Sequence, residues 1–247
     1  MTDISSFLVG TSGYTYSWNK GKSNKLEWYV NQGFNSVEIN GSFYRFPTES
    51  WTNNWKKFGR RDFMFSIKVH RSITHYTRLK GDKSINLWKR FRKSVEPIED
   101  KVMFWLFQLP STFKFNQENF ERLKIFVNKA ELNKKAIIEF RDSSWWSKAS
   151  LKALEKNKLS VCSVDAPLLP KKILNLNKII YLRLHGSKSW YNYMYSEKEL
   201  KRIITRIEKK RANHKAVYLN NDHGMLPNGK YLIDHFLNKD KKLLRQT

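Results

Sequence analysis

The sequence contains little cysteine, few acidic residues and no long apolar run. Its one cysteine, Cys162, excludes an internal disulfide and is typical of a protein kept in a reducing, cytoplasmic setting. The longest apolar run, Val102 to Phe107, is far shorter than the ~20 residues needed to cross a bilayer. The N-terminus lacks the basic and apolar segments of a signal peptide. We therefore expect a cytoplasmic protein with no membrane span.

The shortage of acidic residues leaves a large positive charge. There are 47 Lys and Arg residues against 22 Asp and Glu, which gives a formal net charge of +25. A field of this sign attracts anions, and nucleic acid is the commonest large anion. Solvent-facing helix surfaces rich in lysine explain the same composition without any partner. Nucleic acid is therefore one of two open interpretations of the charge.

Apolar and aromatic residues are abundant enough to build a sizeable core. Hydrophobic residues make up 40% of the chain and aromatic residues 15%, which excludes a disordered composition. The length of 247 residues is close to the ~250 residues that are typical of a (β/α)8 barrel. We expect one domain over residues 1–247.

Strand-like runs alternate with helical patterns eight times along the chain. The predicted strands end at Gly10, Asn40, His70, Gln108, Arg141, Asp165, His185 and Asp222. Only a short segment with two prolines separates Asp165 from the next strand, so the sixth helix is expected to be short or missing. Ser196 and Glu199 have the spacing of a capping box ahead of another helix. The fold class predicted is α/β, as a single (β/α)8 TIM barrel.

Five of these strands end in polar residues two positions apart. The pairs are Glu38 and Asn40, Lys68 and His70, Glu139 and Arg141, Arg183 and His185, and Asn220 and Asp222. Strand side chains alternate between faces, so both members of a pair share one face. An open sheet does not need such ends on strands from every part of the chain. The pattern therefore favours a closed barrel with a polar site at the C-terminal ends of its strands, where barrel enzymes carry their active sites.

Several short segments occur in a characteristic order over about residues 7–234. They are Gly10-Thr-Ser-Gly-Tyr14, Val37-Glu-Ile-Asn40 with Ser42-Phe-Tyr-Arg45, Phe107-Gln-Leu-Pro110 with Phe113, Glu139-Phe-Arg141 with Ser144-Trp145, Tyr181-Leu-Arg-Leu-His-Gly186 and Asn220-Asn-Asp222. Together they resemble the YecE-like family, the domain of unknown function 72. The resemblance implies a TIM barrel and no established reaction.

The residues at the predicted strand ends suit acid/base chemistry on an anionic substrate. We expect catalytic roles for Glu38, His70, Glu139, His185 and Asp222. We expect substrate contacts from Asn40, Tyr44, Arg45, Lys68, Gln108, Arg141, Trp145, Asp165, Arg183 and Asn220. The guanidinium fork matches phosphate or carboxylate, while a carboxylate or imidazole nearby moves the proton. The substrate expected is a small molecule or nucleotide that carries one of these anions, with hydrolase, lyase and isomerase chemistry all open.

Four alternatives remain open beside this interpretation. The polar residues can form an ion-pair network that only closes the barrel end. No cofactor is preferred, but a divalent metal is possible, with Glu38, His70, Glu139, His185 and Asp222 as the candidate ligands. A Schiff base on a desolvated lysine is the third alternative, at Lys68. The last is a basic barrel that binds nucleic acid, including a metal-dependent, endonuclease-like one. The oligomeric state stays open.

Overall fold

The computed structural model describes residues 7–59 and 62–237. Its sheet has eight parallel strands: β1 (Phe7–Thr11), β2 (Ser36–Ile39), β3 (Met64–Lys68), β4 (Val102–Gln108), β5 (Ala136–Glu139), β6 (Ser160–Asp165), β7 (Ile179–Leu184) and β8 (His214–Leu219). The expected domain over 1–247 includes residues 1–6 and 238–247, which lie outside the described residues.

The strands form a ring in sequence order. Each strand pairs in parallel with the next from β2 to β8, and β8 pairs with β1. A parallel bridge between Ser12 and Glu38 joins β1 to β2 and completes the ring. The predicted (β/α)8 barrel is therefore confirmed.

Helices follow the strands in seven of the eight units: α1 (Lys25–Asn31), α2 (Glu49–Phe58), α3 (Gly81–Lys93), α4 (Gln117–Lys129), α5 (Lys148–Lys156), α6 (Glu197–Glu208) and α7 (Met225–Phe236). Residues 166–178, all of them described, form no helix between β6 and β7, as predicted. The Ser196 and Glu199 side chains form the predicted capping box at the start of α6.

Some predicted boundaries extend too far. Strand β3 ends at Lys68 rather than His70, because a π-helical turn over Ser72–Tyr76 follows almost at once. Strand β8 ends at Leu219, and Asp222 begins a short 3-10 turn instead of closing the strand. Alternation of polar residues does not mark the point at which a chain leaves a sheet, so these ends were placed two or three residues late.

Two hydrophobic layers surround the strands. The larger layer lies between the strands and the helices, and the smaller one fills the barrel interior. Cys162 belongs to the interior layer and is fully buried. At Gly10 a Cβ atom would lie 2.4 Å from the Ser36 carbonyl oxygen, so only glycine allows β1 to approach β2 this closely. Among the described residues, no helix is long and apolar enough to cross a membrane.

Candidate functional site at the barrel mouth

Arg183 of β7 lies at the centre of the polar end of the barrel. Its side chain is 1% exposed, yet it makes two close ion pairs. One guanidinium nitrogen, Nη1, donates to Glu139 Oε2 at 2.6 Å, and Nη2 donates to Glu38 Oε1 at 2.7 Å. Buried charges are tolerated when they are paired and hydrogen-bonded. Arg183 thus connects two strands that lie apart in the ring, β2 and β5.

The Glu38 carboxylate is held on both oxygens. Its Oε1 accepts hydrogen bonds from Ser12 Oγ at 2.8 Å and from Asn40 Nδ2 at 3.1 Å, in addition to the one from Arg183. Its Oε2 accepts the Tyr181 hydroxyl proton at 2.7 Å. With protein donors on both oxygens, Glu38 serves better as an anchor for Arg183 than as a base toward a ligand.

Glu139 is the counter-ion of two arginines. Its second oxygen, Oε1, forms an ion pair with Arg141 Nη2 at 2.6 Å. Burial alone would raise the pKa of Glu139, but the charges of Arg141 and Arg183 outweigh it and hold the pKa well below its usual range. Glu139 is therefore an ionised carboxylate and a weak base at neutral pH.

Arg141 retains unused hydrogen-bonding capacity at the mouth. Its Nη2 also donates to Gln108 Oε1 at 3.3 Å, and its guanidinium lies 5.0 Å from the centre of the Trp190 ring. The Nε atom is buried without a partner among the described residues. Unlike Arg183, this arginine is 17% exposed, so a ligand can reach it.

Lys68 places a buried amine beside the same cluster. Its Nζ lies 4.2 Å from the centre of the Phe43 ring, and it has no ion pair or hydrogen bond with the described residues. Burial, together with the nearby charge of Arg183, lowers the pKa of Lys68 to about 8. A substantial fraction of this amine is therefore neutral at slightly alkaline pH, unlike a surface lysine.

His185 is a buried, neutral imidazole. Its Nδ1 lies 3.1 Å from the Asn220 amide nitrogen, which can only donate, so Nδ1 is the acceptor and Nε2 carries the proton. That Nε2 is buried and has no partner in the described part of the chain. Burial and the charge of Arg183 lower the pKa of His185 well below its usual range. The imidazole is thus an uncharged hydrogen-bond donor rather than a cationic acid.

In the described part of the chain, two of the predicted catalytic residues form no hydrogen bond or ion pair with this cluster. His70 is half-buried next to Phe46, and its Nδ1 contacts Ser72 Oγ at 2.8 Å within the turn after β3. Asp222 is exposed at the start of the turn after β8, although its charge contributes, after burial, to raising the pKa of Tyr16 to about 12. In the described ranges, no group of three or more His, Cys, Asp or Glu side chains is arranged to hold a metal ion.

Four of the residues expected to contact substrate are either exposed or have partners outside this cluster. Tyr44 is 64% exposed, and Arg45 beside it is exposed as well. Asp165 accepts hydrogen bonds from the Ser187 and Tyr195 hydroxyl groups, and so fixes the loop after β7. Trp145 is fully buried, and its indole nitrogen donates to a backbone carbonyl in the core, so a ligand at the mouth does not reach it.

Some residues of the cluster were not among the expected catalytic or substrate-contacting residues. Ser12 and Tyr181 contact Glu38, Phe43 packs against Lys68, and Trp190 covers Arg141 and His185. Tyr181 had a usable signal, because it lies two residues before Arg183 and therefore on the same face of β7. Ser12 directly follows β1 and pairs with Glu38 where the ring closes, and the sequence does not specify that contact.

The protein is a TIM barrel of eight parallel strands. A buried ionic cluster lies at the C-terminal ends of these strands and forms a polar mouth. The resemblance noted in the sequence agrees with this architecture. The chain belongs to the DUF72 family, described as protein of unknown function DUF72, which matches residues 8–239.

Relatives support this assignment over nearly the whole chain. The UPF0759 protein YunF of Bacillus subtilis is 24% identical over an alignment of 266 positions, which spans 92% of this chain and 93% of YunF. A DUF72 family protein of Thermotoga maritima is 26% identical, with a TM-score of 0.79 over 94% of this chain and 99% of that one. Another from Enterococcus faecalis has a TM-score of 0.80 at 21% identity, over 94% and 95% of the two chains.

Proposed function

We propose that the protein is an enzyme that binds a phosphate- or carboxylate-bearing small molecule at the barrel mouth and moves a proton on it. The observation that carries the proposal is a set of three polar groups around Glu139. The Lys68 amine forms no hydrogen bond or ion pair with the described residues, and Arg141 Nε and His185 Nε2 are buried without a partner among them. Buried polar groups are normally hydrogen-bonded, so each of these groups has capacity for a ligand.

The contacts divide the roles among these residues. Both terminal nitrogens of Arg183 are used by Glu38 and Glu139 and its side chain is 1% exposed, so Arg141 and Lys68 bind the anion. Lys68 has a pKa of about 8, so near that pH it exchanges between the protonated form, which contacts the anion, and the neutral form, which accepts a proton. The neutral His185 donates a hydrogen bond to a substrate oxygen on which charge develops.

Binding of inorganic phosphate, measured by calorimetry at low ionic strength, tests the anion site. Lys68→Met and Arg141→Gln should each weaken binding by at least about tenfold, since each removes a charge-assisted contact. Arg92→Gln is the control, because Arg92 is 41% exposed and pairs with Glu99 on the surface. Equal binding by all four proteins would refute the proposed site.

The proton transfer is tested by the exchange of carbon-bound hydrogen with deuterated water. NMR detects this exchange in a panel of aldose and ketose phosphates and hydroxy acids. Exchange should be seen with at least one substrate and should be lost in Lys68→Met. The absence of exchange across the panel, with phosphate binding intact, would reduce the proposal to a binding site.

A second candidate function is binding of single-stranded nucleic acid at the rim of the mouth. The Arg71 guanidinium lies 5.7 Å from the ring centres of both Tyr44 and Tyr76, and these tyrosines are 64% and 68% exposed. Exposed rings that alternate with cations can stack on bases, and the net charge of +25 favours polyanions. Fluorescence anisotropy with a labelled oligonucleotide should show salt-dependent binding that Tyr44→Ala and Tyr76→Ala weaken. Unchanged affinity in both variants would exclude the stack as the site.

A further inference from the structure

A second cavity adjoins the ionic cluster at the edge of the mouth. This pocket, of about 530 Å³, lies between α2 and the loops after β1 and β2. Two of its lining residues, Ser12 and Asn40, donate hydrogen bonds to Glu38. Ligand sites commonly have volumes of about 300–1,000 Å³. The pocket is therefore large enough for a ligand and is continuous with the residues that hold the cluster.

The lining of this pocket is aromatic and polar, but uncharged. Aromatic walls come from Tyr14, Tyr16, Trp51 and Trp55, and hydroxyl and amide groups lie between them. None of the described residues that line the pocket is charged, although 28% of the whole chain is. The pocket thus differs from its surroundings in the way expected for a site that accepts a neutral group with both apolar and polar edges.

The aromatic walls are fixed by their own contacts. The Tyr16 hydroxyl donates to the Ser12 carbonyl oxygen at 2.6 Å, and its ring stacks on Trp18. The Trp55 indole nitrogen donates to the Tyr14 hydroxyl at 3.0 Å. Hydrogen bonds that hold the rings in place reduce the conformational entropy that a ligand must remove on binding.

One polar atom in the pocket lacks a partner. The amide nitrogen of Asn40 is used by Glu38, whereas its Oδ1 is buried and accepts no hydrogen bond from the described residues. This oxygen requires a donor, such as a hydroxyl group. The ring planes of Trp51 and Trp55 are inclined at 53° to each other, so they form an angled wall rather than a parallel slot for a flat base.

We propose that this pocket is a subsite for the hydroxylated ring of a sugar whose phosphate or carboxylate group lies on Arg141 and Lys68. The ring's apolar face packs on Trp51 and Tyr16, and one of its hydroxyl groups donates to Asn40 Oδ1. The inference rests on the proposed anionic substrate and names its class, a sugar phosphate or a sugar acid.

Calorimetric titrations with inorganic phosphate, D-glucose 6-phosphate, D-ribose 5-phosphate and uridine 5′-monophosphate test the subsite. At least one sugar phosphate should bind about tenfold more tightly than phosphate, as expected for a ring buried against aromatic side chains. Uridine monophosphate should bind no more tightly than ribose 5-phosphate. Trp51→Ala should remove the gain and leave phosphate affinity unchanged, while Trp51→Phe should keep most of it.

Phe58→Ala is the matched control, because Phe58 is a half-buried aromatic residue on the same helix, α2, that does not line the pocket. Equal affinities for phosphate and both sugar phosphates would overturn the subsite and leave the anion site standing. Tighter binding of uridine monophosphate than of ribose 5-phosphate would assign the pocket to a base and overturn the sugar proposal. Failure of every probe, phosphate included, would overturn the proposed anion site and the subsite with it.

Discussion

Replacing Arg183 by methionine should strongly destabilise the protein. The substitution keeps much of the side-chain volume but removes the cation that pairs with Glu38 and Glu139, both of which are fully buried. Glu139 still has Arg141 as a partner, whereas Glu38 keeps only the neutral donors Ser12, Asn40 and Tyr181. Removing one partner of a buried ion pair costs about 3–5 kcal/mol. In a chain of this size we expect the Tm to fall by roughly 10 °C.

Urea denaturation at pH 7.5 measures the loss, with Arg92→Met as the control. Arg92 forms a surface ion pair with Glu99 at 2.6 Å, and such pairs contribute about 0–1 kcal/mol. Adding Glu38→Gln to Arg183→Met should recover part of the loss, because it neutralises the carboxylate that has no remaining cation. A loss in Arg183→Met no greater than in Arg92→Met, or no recovery in the double variant, would refute this account of the cluster.

Three further predictions follow from individual side chains. The folded pKa of Glu139 is depressed, so its contribution to stability is present above its unfolded pKa of about 4.3 and is lost as the pH falls. Urea denaturation at pH 3–7 should therefore show that the free energy of unfolding falls less steeply with decreasing pH in Glu139→Gln than in the wild type. The folded pKa of Lys68, about 8, lies below its unfolded value of about 10.4, so burying the charged amine lowers stability at neutral pH. Lys68→Met should be more stable than the wild type at pH 7 by roughly 1–3 kcal/mol, and thermal melts should show the gain shrinking between pH 8 and 10. Trp145 stacks on Phe140 at 4.0 Å between ring centres. Trp145→Ala should lower the free energy of unfolding by about 3–5 kcal/mol in urea denaturation. A small loss of stability together with a large loss of phosphate affinity would instead indicate a binding role.

Much of the fold follows from local patterns. Eight alternating units, the prolines after β6 and the capping box before α6 each predict what is found, because helix and strand periodicity and proline geometry act within a few residues. Local patterns also predicted that Glu38, Glu139 and Arg183 meet at the barrel mouth, since side-chain alternation along a strand fixes the face on which a residue lies.

The partners within that site depend on closure of the barrel. Glu38 and Arg183 are separated by 145 residues, and nothing between them in the sequence specifies their ion pair. Closure brings both carboxylates to Arg183 and leaves Arg141 Nε and His185 Nε2 buried without a partner among the described residues. The same three-dimensional packing buries Trp145 and exposes Tyr44, although both are aromatic residues in βα loops.

The sequence by itself therefore determined the architecture and the composition of the mouth, because both arise from interactions between near neighbours along the chain. Only the tertiary structure decided which charges neutralise one another and which polar atoms remain for a ligand. Charge pairing and desolvation depend on distances of a few ångströms between residues far apart in sequence, and those distances are set when the eight strands close into a ring.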